Sequence, residues 1–305
     1  MNATLYPHPH RTRASALLLA MWAIFVLSAA IMVWASFVRQ TLSVATESYN
    51  DTEARAMAHS GVALGRHPLV TKQTPALMMQ SENDPGFRVR MISEGAKLNV
   101  NALFDGEDVR KLDLFKRWLE SRGIEFSERE RMVDCMLDWL DGDNLARLNG
   151  LEDEKSYHPP NRGRFESVDE IAEVAGTDPL TSQSNWKDDL TTFSQGTIDL
   201  TSADAHILRL LPGLNDPGIE RFLQWRRGAD QIDGTLDDPR LEKLEIAQVF
   251  LGADKNTFSS LVGLIGLRDN TWHITAVGWS GKVIRQIEVV TRKGGQTPQI
   301  LDWKE

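Results

Sequence analysis

The chain has 305 residues, 41% hydrophobic and 25% charged, which is ordinary for a folded protein and enough for one large domain or two modest ones. A net charge of −9 and a pI near 5.4 run against a protein built to grip nucleic-acid phosphates, which uses a basic face. The single cysteine, Cys135, excludes an internal disulfide and a zinc site of several thiolates; among Met132, Val133, Met136 and Leu137 it reads as a small buried hydrophobe.

From Ala14 to Val38 run 25 residues without a charge, ASALLLAMWAIFVLSAAIMVWASFV, behind Arg11 and Arg13 and ahead of Arg39. As a helix this stretch is about 37 Å long, enough to cross a hydrocarbon core of about 30 Å. It is too long for the apolar part of a cleaved secretory signal, which runs about 7 to 15 residues. Positive charge before the span predicts a cytoplasmic N-terminus with the rest of the chain outside. No proline falls between His10 and His67 and no glycine precedes Gly61, so nothing interrupts a helix of roughly fifty residues. Its outer half carries Ala54, Ala56, Ala58, Gly61 and Ala63, small residues suited to close packing.

Beyond the helix, GFRVRMIS alternates Phe87, Val89 and Met91 against Arg88 and Arg90, a half-buried strand, and KLNVNAL extends the alternation with Leu98 and Val100. Near the other end, WHITAVGWSGKVIRQIEVVTR predicts a hairpin turning at Ser280-Gly281. Between them the pattern is helical. Val109, Leu112, Phe115, Trp118 and Leu119 form one apolar face; Ser127 with Glu130, and Ser167 with Glu170, predict capping boxes. DEIAEVAGTD resembles LEIAQVFLGAD, and KLNVNAL resembles TIDLTSA, which predicts a small duplicated unit.

ILRLLPGLNDPGIERFLQWRRG predicts a helix-hairpin-helix: Pro212-Gly213 stops one helix, Asp216 caps the next, and Ile219, Phe222 and Leu223 face inward. In nucleic-acid-binding hairpins the glycine turn meets a phosphate. Here Asn215, Asp216 and Glu220 surround the turn and oppose one, while Arg226 and Arg227 lie at the far end. No catalytic constellation is found: GWSGK departs from the nucleophile elbow, the seven histidines form no HExxH pair, and no glycine-rich phosphate loop is present.

MLDWLDGDNLARLNGLEDE concentrates acids and amides in nineteen residues. An EF-hand starting at Asp141 fails at Leu145 and Ala146, but a calcium ion needs only six to eight hard oxygens from a flexible loop. Asp141, Asp143, Asn144, Asn149, Glu152 and Asp153 supply them. The residues alone more readily describe a helix end stopped by Gly142 and followed by a solvated acidic turn.

Taken together, RASALLLAMW, EARAMAHSGVAL, GAKLNVNAL, the long motif from Met136 through FESVDEIAEV, and GTIDLTSADAHILRLLPGL resemble the type II secretion minor pseudopilins of the K type. The resemblance runs from about Arg11 to Arg292. It implies an α+β fold: a pilin-like long N-terminal helix and small antiparallel sheet, with a large inserted all-α domain carrying helix-hairpin-helix-like units. The divisions expected are a basic leader over 1–14, a helix over 15–66 with the membrane span at 15–38, pilin-like segments at 67–103 and 268–305, and the insert at 104–267. The resemblance also implies structural calcium, held here by Asp141, Asp143, Asn144, Glu152 and Asp153, and cleavage by a prepilin peptidase between Ala14 and Ser15. Ala14 departs from the family's usual glycine. Leu19 stands fifth after the junction, where this subunit type lacks the usual glutamate.

The function expected is a non-enzymatic subunit at the tip of a periplasmic pseudopilus, anchored in the inner membrane by one span. Its expected partners are other minor pseudopilins and the inner-membrane assembly platform, with no nucleic acid. The alternatives are an anchored hairpin-based DNA-binding protein of a competence or type IV pilus system, and an anchored periplasmic enzyme resting on unplaced carboxylates.

Overall fold

A single helix, α1 (Thr12–Arg66), forms the spine of the protein. The computed structural model describes residues 12–79, 85–152, 156–294 and 297–305, and of residues 12–14 the backbone alone. The leader expected over 1–14 therefore lies outside the described residues save for that backbone, and the side chain of Ala14 with it. The first half of α1 exposes its apolar side chains all round, from Leu17 through Phe37. It is the one described helix long and apolar enough to cross a membrane.

After α1 come β1 (Met78–Met79), β2 (Gly86–Ser93), β3 (Leu98–Asn99), α2 (Val100–Phe104), α3 (Val109–Ser121), α4 (Phe126–Leu140) and α5 (Asp178–Thr181). Then follow β4 (Leu190–Thr191), β5 (Ile198–Asp199), α6 (Ala205–Leu208), α7 (Asp216–Arg226), α8 (Leu244–Leu251), α9 (Lys255–Ser260) and β6 (Ile265–Gly266). The chain closes with β7 (Thr271–Ser280), β8 (Val283–Arg292) and β9 (Gln299–Lys304). Five strands form an antiparallel sheet in the order β1-β2-β7-β8-β9.

The outer half of α1 lies along one face of this sheet, and side-chain size trades across the contact. Gly65 faces Ile274 and Gly61 faces Val89 and Ala276; at Gly278 the relation reverses, and a Cβ there would lie 2.2 Å from the Ala54 carbonyl oxygen. Ala54 and Ala58 are fully buried, as the small-residue pattern predicts, but Ala56 and Ala63 point to solvent. Ser280 Oγ donates to Glu53 Oε2 at 2.7 Å, and Arg285 pairs with Asp51. β9, which the sequence reading does not anticipate, finishes the sheet: Trp303 stacks on His59 of α1, and Glu305 lies 3.4 Å from Arg55.

The helical block enters after Ser93 and leaves before Thr271, at the end of the sheet beside Gly65; the β7–β8 turn beside Asn50 lies at the end nearer the apolar half of α1. It has its own core, from Leu98 to Ile265, separate from the cluster formed by α1 and the sheet. Buried acids stitch the two together. Asp199 Oδ2 accepts from Ser93 Oγ (2.8 Å) and from the Asp269 amide (3.2 Å), while Asp269 accepts from the amides of Gln195 and Thr271. Gly95 passes so close that a Cβ would fall 2.6 Å from the Asp269 Cβ.

The duplication is visible in the block. β3 pairs in parallel with β4 and β5 with β6, so each unit opens and closes on a two-residue strand. KLNVNAL is accordingly a strand only at Leu98–Asn99; Asn99 then caps α2 by accepting from the Ala102 amide. The expected capping boxes are not formed. α4 starts from Glu125, one turn engaging Glu130 with Lys116, and the segment after Ser167 is a 3-10 helix without a side-chain cap bond. The hairpin turns at Gly281-Lys282 rather than Ser280-Gly281, with Gly281 at φ +56°.

Within the block Asp189 gathers Trp118 Nε1 (3.0 Å), Arg122 Nη2 (2.6 Å) and His206 Nε2 (2.7 Å). Burial opposes its charge, but these bonds outweigh burial and hold the carboxyl well below its usual range, while the Asp189 bond raises His206. A histidine raised in the folded state stabilises fully below its unfolded value of about 6.5, and that contribution is lost as pH rises through the folded value. Urea titrations should therefore show stability falling across that window, with the slope reduced in His206→Gln. Gly278→Val should cost about 1 to 3 kcal/mol by forcing backbone off backbone, measured the same way; an unchanged midpoint would contradict the close seam.

Candidate metal centre

α4 ends in the run Met136 to Leu140, all of it buried, Asp138 included at 0% exposed. A carboxylate cannot sit there unpaired. Arg147 returns from the following loop and places Nη1 2.7 Å from Asp138 Oδ1, with its own amide also donating to Asp138. The same Nη1 reaches Asp141 Oδ2 at 2.5 Å, and Nη2 reaches Glu107 at 2.7 Å. Burial works against the Arg147 charge, yet Asp141 and Asp138 more than offset it and raise the guanidinium above its usual range. Gly150 is required by contact: a Cβ would lie 1.8 Å from Asp138 Oδ2. Asn149 is tied outward to Asp134, at 2.8 Å from its side-chain nitrogen.

Glu152 completes the group. It is 8% exposed, and both carboxylate oxygens are buried without a hydrogen-bond partner among the described residues. Burial pushes its carboxyl up, and the charges of Asp138, Asp141 and Asp143 push it further. Asp138, Asp141 and Glu152 each bring an oxygen within 4.8 Å of the others. Calcium–oxygen distances of about 2.3 to 2.6 Å place ligands on opposite sides of an ion about that far apart. The donor set is all carboxylate oxygen, which suits a hard cation rather than zinc. One arginine answers two of the carboxylates and leaves the third uncompensated, so the residues fit an additional cation.

Of the residues expected at the site, Asp141 and Glu152 are brought together. Asp143 and Asn144 are exposed on the loop, where Asp143 accepts from the Leu145 amide, and Asp153 lies outside the described residues. Asp138 is the member that the reading of the sequence leaves out of the set. Its signal is an acid enclosed by apolar neighbours in MLDWL. Trp139 and Leu140 are buried, and Trp139 packs 5.8 Å from Tyr157, so the loop does start and return through the core. A second acidic group, Asp230, Asp237 and Asp238, is self-contained: the Thr235 hydroxyl and the amides of Asp230 and Ala229 hold Asp237 down at about 2.

The hairpin around Gly213 offers less to a phosphate than its sequence suggests. α6 is a single turn, Asn215 rather than Asp216 caps α7, and Arg226 is buried. Arg226 donates to the Leu200 and Ala203 carbonyls and pairs with Asp233 at 2.7 Å. Ile219, Phe222 and Leu223 are buried as predicted, and Gly218 lets α7 approach the end of α8.

A family model described as "Type II secretion system (T2SS), protein K" matches residues 96–184, close to the first of the two strand-bounded units. The type II secretion system protein K of Dickeya chrysanthemi is 34% identical over 67 residues, a stretch covering 21% of this chain and 19% of that one. The fold is similar to a chain in the crystal structure of the GspK-GspI-GspJ complex from the type 2 secretion system of enterotoxigenic Escherichia coli, with a TM-score of 0.58 and 13% identity. That match covers 88% of this chain and 98% of the other. Long helix, antiparallel sheet and helical insert together make the α+β fold of that chain, and residues 96–184 are similar to the family described as type II secretion system protein K.

Proposed function

We propose that this protein is a non-enzymatic minor pseudopilin of a type II secretion system and occupies the tip of the pseudopilus. The observation that carries the reading is the placement of the insert. It joins the sheet at the end remote from the apolar half of α1, where the next subunit of a stacked filament would have to sit. A filament grown through α1 packing can accept such a subunit once, at its end. Leu19 agrees: without the usual glutamate there is no carboxylate to partner the N-terminal amine of the subunit below, which fits a subunit at the end of the filament.

In this reading α1 holds the protein in the inner membrane with its N-terminus cytoplasmic, after cleavage between Ala14 and Ser15, and the remainder is periplasmic. Other minor pseudopilins bind along α1, and the inner-membrane platform draws the assembly outward to support export. Co-expression of the full chain with the other minor pseudopilins of its system, followed by affinity purification in detergent, should recover them together. Recovery of this chain alone, with secretion intact after its deletion, would sink the proposal.

We further propose that Asp138, Asp141 and Glu152 hold a structural calcium ion, with Asp143, Asn144 and Asp153 within the same loop. The ion would supply fixed positive charge to Glu152 and brace the loop against the insert. Calcium should raise the melting temperature of the full chain, and Glu152→Gln with Asp138→Asn should abolish the rise. An equal rise in the variant would remove these carboxylates from the site.

A further inference from the structure

The loop from Asp141 to Glu152 is fastened by charge rather than by packing. Leu145 and Leu148 flank Arg147 and are 78% and 97% exposed, so no apolar contact pins this stretch. Asn149 is bonded outward to Asp134. Arg147 supplies the inward ties. Its amide and Nη1 donate to Asp138, and the same Nη1 donates to Asp141.

A guanidinium nitrogen held between two carboxylates draws on the same oxygens that a hard cation bound by those groups requires. The two positive charges would also repel, and the repulsion is poorly screened where Asp138 is fully buried. Glu152 adds a bias toward the ion, because its buried oxygens receive no hydrogen bond from Arg147 or from any other described residue. The surrounding charges are otherwise committed. Asp143 is exposed and accepts from the Leu145 amide, Asp134 holds Asn149, and Arg131 is turned toward Cys135 and Gly176.

The arginine also has a second resting place. Its Nη2 already pairs with Glu107 at 2.7 Å, an exposed carboxylate on the turn between α2 and α3. Turning the side chain toward Glu107 need not release the backbone, since the Arg147 amide keeps a separate bond to Asp138 at 3.2 Å.

We propose that Arg147 is a built-in competitor of the cation at this site. It neutralises Asp138 and Asp141 when calcium is scarce and yields them, keeping Glu107, when calcium is plentiful. The inference rests on the calcium reading above and adds its regulation. The loop is fastened in both conditions, and the site fills only at calcium concentrations that can displace a guanidinium. Without the arginine the carboxylates would bind calcium more tightly and repel one another in its absence.

The test titrates calcium chloride into the full chain in detergent, reading binding heat and melting temperature for the wild type, Arg147→Met, Arg147→Lys and Glu152→Gln. Arg147→Met should bind calcium at least about tenfold more tightly than the wild type. It should also melt lower than the wild type in a chelator and gain more from calcium. Arg147→Lys keeps the charge but not the planar fork, and its affinity should fall between the two. If Arg147 only positions the ligands, the order reverses. Equal or weaker binding by Arg147→Met therefore overturns the inference, as does an Arg147→Met chain that stays unfolded in millimolar calcium. Binding by the wild type that is lost in Glu152→Gln keeps the calcium site whatever Arg147→Met does. Binding by neither the wild type nor Arg147→Met removes the site, and the competitor with it.

Discussion

Where α1 crosses β7 the two backbones nearly touch, and neither element has room for a side chain at that point. Ala54 and Ala58 on the helix and Gly278 on the strand make this possible, while Gly61 and Gly65 accept Val89 and Ile274 further along. Small residues remove the cost of clashes and maximise dispersion over a long contact. The consequence is a rigid joint between a helix built for an apolar medium and a domain built for water. Force or displacement applied to the exposed half of α1 is delivered to the sheet, and from the sheet to whatever the sheet carries.

It carries the insert through a second joint of different character. Asp199 and Asp269 are buried and satisfied by backbone amides and the hydroxyls of Ser93 and Thr201, so the junction is polar, directional and intolerant of substitution at Gly95. Apolar packing sets the first joint and hydrogen-bond geometry the second. Two separate cores linked by a small number of exact bonds keep each unit intact without merging them.

The large elements were legible because each obeys one period. α1 needs only an unbroken apolar run and the absence of proline, and β2, β7 and β8 alternate cleanly. Short elements were not, because tertiary contacts decide them. KLNVNAL alternates like a strand, yet Asn99 ends the strand by capping a helix, and Ser127 loses its box because α4 begins earlier. β9 escaped because six residues at a chain end carry little pattern, and its partner contacts, His59 and Arg55, are some 240 residues away in sequence. In the acidic loop the types were readable but the convergence was not. Asp138 looked like one more acid in a rich stretch, and only its complete burial beside Glu152, which has no hydrogen-bond partner among the described residues, distinguishes it from Asp143 and Asn144 on the outside.

The register that pairs Gly86 with Trp279 and Ser93 with Trp272 joins strands made at nearly opposite ends of synthesis. The long helix and β2 precede the insert in the chain, and β7, the long partner of β2, follows it. Loop closure over such a span is slow unless something shortens it. The insert has its own core and brings its two ends together, Gly95 lying against Asp269, so the gap between the paired strands is short in space. Without β7 the small-residue face of α1 loses the cover of Ile274, Ala276 and Gly278, so the last tenth of the chain decides whether that stripe is buried.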